Sequence, residues 1–139
     1  MANTEVESLL NRLGQILAED REYRVDGTLL YAKVDDASAT PAIFKNLGNH
    51  ILYRWPDLDS IGDPLMHLWD AADPDKRWAE IEYLIRDDRF FNVTYVYPDE
   101  IDPDEDPFVR RDRIVAKYFG DKPIVYPPLD DSIGQDFKL

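Results

Sequence analysis

The sequence predicts a single α+β domain, with an antiparallel sheet of about five or six strands packed by an N-terminal and a C-terminal helix. Three observations predict it. Val6, Leu9, Leu10, Leu13, Ile16 and Leu17 fall at helical spacing near the start. Short β-branched and aromatic runs, separated by turn residues, fill the middle. From Asp106 to Gly120 an apolar pattern with helix start and stop signals returns. The 139 residues suit one domain with its own core. Three Trp, eight Tyr and six Phe in a 44% hydrophobic chain place it among folded proteins.

The elements follow in order. Thr4 and Glu7 match a capping box ahead of a helix over about residues 5–19, with its acidic start suited to the helix dipole. Tyr23, Arg24 and Val25 lead to an Asp26-Gly27 turn and a strand over 28–34. Residues 35–40, small and polar, read as a loop. Strands over 42–45 and 51–55 flank a Gly48-Asn49 turn, making an antiparallel meander that Pro56 closes. Asp63-Pro64 looks like the cap and first residue of a short helix carrying Leu65, Met66, Leu68 and Trp69, ended by Asp73-Pro74-Asp75. Residues 78–85 fit either a helix (Trp78, Ile81, Ile85) or a strand face (Ala79, Ile81, Tyr83, Ile85). The Val, Thr and Tyr content of 90–97 favours a strand, and residues 86–89 suit a hairpin loop, so two paired strands are expected. Asp106-Pro107 starts the last long helix and Gly120 ends it. This makes 1–121 the domain. Residues 122–139 form a Pro-rich tail packed on it or extending from it, with 132–139 loose.

Charge narrows the function. Twenty-nine acidic against sixteen basic residues give a net charge of −13. The densest basic groupings, Arg110-Arg111 with Arg113 and Lys76-Arg77, fall short of a nucleic-acid footprint. A basic protein partner fits better, because an unbalanced field speeds association with opposite charge. The lack of cysteine removes disulfides, thiol nucleophiles and thiolate metal sites. Met1 to Glu7 shows no signal-peptide pattern, and no apolar run approaches a membrane span, so the expected location is the cytoplasm.

Catalytic patterns are missing. His50 and His67 have no Ser, Cys or acid beside them in a recognised catalytic spacing, and the six glycines form no phosphate-binding loop. No cofactor and no enzymatic activity are expected. Six carboxylates stand within eight residues: Asp99, Glu100, Asp102, Asp104, Glu105 and Asp106. Asp102, Asp104 and Asp106 have the spacing that opens an EF-hand loop, but its Gly position falls on Pro107 and its bidentate Glu on Arg113. Glycosidase carboxylates face each other across a cleft and are not strung along one loop. The cluster then reads as a solvated connection ending in a helix cap, or as an anionic ridge that meets cations on a partner. Arg110 and Arg111, directly after it, can pair with it or cover it, which suits an internal ion-pair role better than ligand binding. Trp78, Tyr83, Tyr95 and Tyr97 suit core packing, with an aromatic sheet patch as the other reading.

The sequence Trp78-Ala79-Glu80-Ile81-Glu82-Tyr83 is followed by Phe90-Phe91-Asn92-Val93-Thr94-Tyr95-Val96-Tyr97. The acidic loop comes next, then Pro107-Phe108-Val109-Arg110-Arg111 and Lys117-Tyr118-Phe119-Gly120. This order resembles the YezG-like family of bacterial immunity (antitoxin) proteins over about residues 5–120, with the last forty carrying the pattern. Val109 stands where that family has Glu before the paired arginines, and the tail after Gly120 has no counterpart. The resemblance implies an α+β protein that neutralises a cognate toxin, often a nuclease, by binding it, and it brings no catalytic residues. With the acidity it points to a basic toxin as partner, with no direct nucleic-acid or membrane contact. The expected contact surface is Tyr97, Asp99, Glu100, Asp102, Asp104 and Glu105, aromatic anchor beside acids. The alternative reading is an acidic interaction module, adaptor or secretion-chaperone-like, whose partner is not a toxin. A third is a small enzyme or metal-binding protein using the acidic loop.

Overall fold

Leu29, Leu30, Tyr31, Ala32 and Val34 are all buried, so the strand that carries them, β1 (Thr28–Val34), is covered on both faces. In the computed structural model, which describes residues 4–87 and 90–128, β1 lies inside a six-stranded sheet. β2 (Ala39–Asn46) and β4 (Glu80–Arg86) flank it, both antiparallel. β3 (Ile51–Arg54) follows β2, and β5 (Phe90–Val96) follows β4, again antiparallel. β6 (Ile124–Val125) joins β3 in parallel, giving the order β5-β4-β1-β2-β3-β6. α1 (Thr4–Ala18) and α2 (Leu58–Asp70) pack on one face around Leu30, Ile43 and Ile81. α3 (Pro107–Phe119) packs on the other through Val115, against Leu29, Phe44 and Leu84. The expected α+β domain is present, and the parallel β3–β6 pair adds a strand from the Pro-rich segment. The tail residues 129–139, including the stretch expected to be loose, and the hairpin-loop residues Asp88 and Arg89 lie outside the described residues.

Local chemistry explains where the elements depart from expectation. Thr4 is already helical, so it is not the cap, because a side chain caps only from a non-helical residue. β2 starts at Ala39 and contains Pro41, although 35–40 looked like a loop. Asn46 N–H donates to Gly27 C=O. By ladder alternation the nitrogen of Pro41 therefore faces the β3 side, where β3 pairs only as far as Ile43. No ladder bond is lost there, so proline is tolerated. α2 starts a turn and a half before the Asp63-Pro64 pair. Asp57 is its cap, accepting from Asp59 N–H at 3.2 Å, and Pro64 sits inside the helix. The stripe Ile61, Leu65 and Leu68 explains this, since all three are almost fully buried and only a longer helix buries Ile61. Each such side chain contributes roughly 1.5–3 kcal/mol, which outweighs one missing proline hydrogen bond.

α3 starts as expected. Asp106 Oδ1 accepts from Phe108 N–H at 2.8 Å and Val109 N–H at 3.3 Å, and Gly120 ends the helix with φ 83°. Inside α1, Gly14 answers a different need. A Cβ there would lie 2.8 Å from the Tyr83 hydroxyl, which donates to Leu10 C=O at 2.7 Å. The Tyr83 ring is fully buried and stacked on Phe91 at 4.8 Å. Gly14→Ala is expected to lower stability, because overpacking costs about 1–3 kcal/mol against about 1 kcal/mol of helix propensity gained. Tyr83→Phe in the same chain should recover most of the loss. Urea-unfolding midpoints decide it; a higher midpoint for Gly14→Ala alone would contradict the steric argument.

Candidate functional site

Four clusters of polar and aromatic side chains stand out around α3 and the ends of the sheet. The first lies beneath α3. Glu80 and Glu82 alternate along β4 and point to the α3 side, yet each is only 2% exposed. Arg110, on the buried side of α3, donates to both Glu80 oxygens, at 2.7 Å from Nη2 and 3.2–3.3 Å from Nε. Tyr31 Oη donates to the same carboxylate at 2.6 Å. Burial, reinforced by that carboxylate, pushes the Tyr31 hydroxyl well above its ordinary value, and the Glu80 hydrogen bond raises Arg110. One turn pair further along, Lys117 Nζ donates to Glu82 at 2.6 Å, and Tyr118 Oη donates to the same oxygen. The expected internal role of Arg110 is therefore observed, but its principal partner is Glu80. These donors are engaged, so the cluster fastens α3 to the sheet.

The second cluster is the acidic loop. Tyr97 is half-buried, with Lys76 Nζ 5.2 Å from its ring centre, and it packs on the α1–α2 side. Asp99 and Glu100 are exposed on a 3₁₀ turn, Pro98–Glu100. Asp102 and Asp104 are exposed; Asp102 accepts from Asp104 N–H at 2.9 Å. Glu105 turns inward, 2.7 Å from Arg113 and 3.8 Å from Arg110. The Arg113 hydrogen bond holds its carboxyl below the ordinary value. Asp99, Glu100, Asp102 and Asp104 thus face outward, whereas Glu105 has internal partners and Asp106 is a helix cap.

The third cluster joins three separated segments. Phe108 is 67% exposed, Trp55 50% and Tyr126 47%. Buried Tyr53 links them, with ring centres 5.0 Å from Trp55 and 5.2 Å from Tyr126. The Arg111 guanidinium lies 5.2–5.7 Å from the rings of Phe108, Phe44, Tyr53 and Tyr126, and donates to Tyr126 Oη at 3.1 Å. Its Nε is buried with no hydrogen-bond partner among the described residues. An arginine held in aromatic rings beside exposed Trp, Tyr and Phe combines the side chains that most often carry interface energy. The acidic loop runs directly into it through Asp106 and Phe108.

A fourth cluster closes the other end of the α1 face. Lys45, 1% exposed, donates to Arg24 C=O at 3.1 Å and Thr28 Oγ1 at 3.0 Å. Burial pushes its ammonium below the ordinary value. Asp20 lies 3.9 Å away and accepts two bonds from Arg54, at 2.7 and 2.9 Å. Partial burial raises the Asp20 carboxyl, but the Arg54 and Glu22 N–H hydrogen bonds and the Arg54 and Lys45 charges outweigh it, so the net shift is downward. A depressed carboxyl contributes stability that is complete above its unfolded value of 3.8 and is lost as the pH falls through the folded value. Asp20→Asn is expected to cost about 1–3 kcal/mol at pH 7, and the gap to wild type should close only as the pH falls below 3.8. Urea unfolding across the range tests this; a gap independent of pH would refute it.

Neither histidine adds a reactive constellation. His50 Nδ1 lies 2.6 Å from Asn49 Oδ1 on an exposed turn, and His67 is exposed on α2. Among the described residues no three His, Asp or Glu side chains converge as metal ligands. No described helix is long and apolar enough to cross a membrane. Among the aromatics weighed as a patch, Trp78 and Tyr83 are buried and Tyr95 is half-buried, 5.3 Å from Trp78. No protein-family model matches the chain, and no curated protein matches its sequence.

Proposed function

We propose that this chain is an immunity protein, of the YezG-like kind its second half resembles, that binds and neutralises a basic bacterial toxin in the cytoplasm. The observation that carries the reading is the surface of exposed Trp55, Tyr126 and Phe108 around half-buried Arg111, into which the acidic loop with outward Asp102 and Asp104 leads through Asp106. A nuclease toxin presents cations to its nucleic-acid substrate. A chain of net charge −13 is steered onto such a surface and competes with that substrate. Desolvated aromatics then supply the lasting affinity, while exposed acids set the association rate and its salt dependence. Asp99 and Glu100 extend the acidic rim on the turn after β5, beside Tyr97, which packs on the α1–α2 side.

The test is calorimetric titration into an inactivated form of the polypeptide encoded immediately upstream. Nanomolar binding that weakens steeply with salt is expected, together with loss of toxin activity in the complex. Absence of binding to that polypeptide would overturn the toxin assignment and put the partner elsewhere.

A further inference from the structure

The two edges of the sheet are unlike. On one side β6 is two residues long and followed by Pro127 and Pro128, a blunted edge. On the other, β5 runs seven residues, Phe90 to Val96, with no charge and no proline, in a chain that is 32% charged. An edge strand of that length usually carries a charge or a proline to prevent pairing. We infer that β5 is the seam of a homodimer, pairing antiparallel with β5 of a second copy and joining the two sheets into one.

The ladder settles which groups are free to do so. Asn46 N–H bonds Gly27 C=O across β1 and β2, and Val34 N–H bonds Ala79 C=O across β1 and β4. Alternation through the paired registers directs Phe90, Asn92, Thr94 and Val96 to β4. It leaves the N–H and C=O of Phe91, Val93 and Tyr95 pointing outward. A two-fold axis at Val93 pairs Val93 with itself and Phe91 with Tyr95 of the other copy, using all of these groups. The same register aligns Asn92 with Thr94, so no like charges meet. The self-complementary register selects a second copy as the occupant. A net charge of −13 opposes self-association over most of the surface, and β5 brings no charge of its own to the contact. A basic partner is drawn instead to the carboxylates. The inference is independent of the toxin reading.

Sedimentation equilibrium of the full chain at micromolar concentration should give twice 16.2 kDa. Val93→Pro removes only an outward N–H from the ladder, as edge strands tolerate. It should raise the dimer dissociation constant more than tenfold while the circular dichroism is retained. A second variant removes dependence on that outcome. The chain has no cysteine, and residues paired across a two-fold lie about 5.5 Å apart at Cα, within disulfide reach. Val93→Cys should therefore cross-link into dimers under mild oxidation at least tenfold faster than Asp59→Cys, which is exposed on α2. A wild-type mass of 16.2 kDa, a folded Val93→Pro that stays dimeric, or equal cross-linking rates would each overturn the seam.

Discussion

Arg110→Ala is expected to lower the unfolding free energy by about 3–5 kcal/mol, because it strands a buried carboxylate. Glu80 is 2% exposed, and Arg110 supplies its charge partner while Tyr31 supplies one further hydrogen bond. Removing the guanidinium leaves the charge in a dry layer with one neutral donor. The same chemistry predicts that Glu80→Met with Arg110→Met regains most of the loss, since a buried pair exchanged for well-packed apolar groups is often neutral. The two variants separate a buried charge from a lost contact. Chemical denaturation of the single and double variants measures the difference. A single-variant cost below about 1 kcal/mol would mean that water reaches Glu80.

Phe108→Ala and Arg111→Ala should each weaken partner binding by about thirtyfold or more, which is roughly 2 kcal/mol. Phe108 is the most exposed of the patch rings, and Arg111 holds the surrounding rings in register through its contacts with Tyr53 and Tyr126. The loss should appear in the dissociation rate. Charge reversal of Asp102 and Asp104 should instead slow association and flatten its salt dependence. Surface binding kinetics at two salt concentrations distinguish these effects. If the acid reversals changed only dissociation, or the Phe108 and Arg111 variants bound like wild type, the division between steering rim and aromatic anchor would fail.

Much of the fold was legible because its signals are local. The Asp106-Pro107 start of α3, the Gly48-Asn49 turn between β2 and β3, and the apolar run of β1 each lie within a few residues of what they determine. α2 was harder: Asp63-Pro64 is a strong local start signal, but burial of Ile61 against the sheet draws the helix back to Asp57. Glu80 and Glu82 alternate with Ala79, Ile81, Tyr83 and Ile85, a local pattern that does not reveal their burial. Their partners Arg110 and Lys117 are at least thirty residues away in sequence, and only the seven-residue spacing of those cations hinted at one basic helix face. Outward Asp99, Glu100, Asp102 and Asp104 were readable from their density, while the inward turn of Glu105 required the position of Arg113. The aromatic cluster was invisible in advance, since Trp55, Arg111 and Tyr126 come from segments that only tertiary packing joins.

Pairing of β1 with both β2 and β4 also shapes the route by which the chain folds. β1 meets β2 through a short hairpin, and β4 meets β5 through another, so both can form early from nearby residues. The β1–β4 ladder, which aligns Tyr31 with Glu82, must instead close a loop of about fifty residues that includes β3 and α2. α3 can dock only after that closure, because its anchoring carboxylates lie on β4 and the rings beneath Arg111 lie on β2 and β3. The aromatic surface thus depends on contacts between segments far apart in sequence, and a partner that reads Trp55, Arg111 and Tyr126 together reads the folded chain.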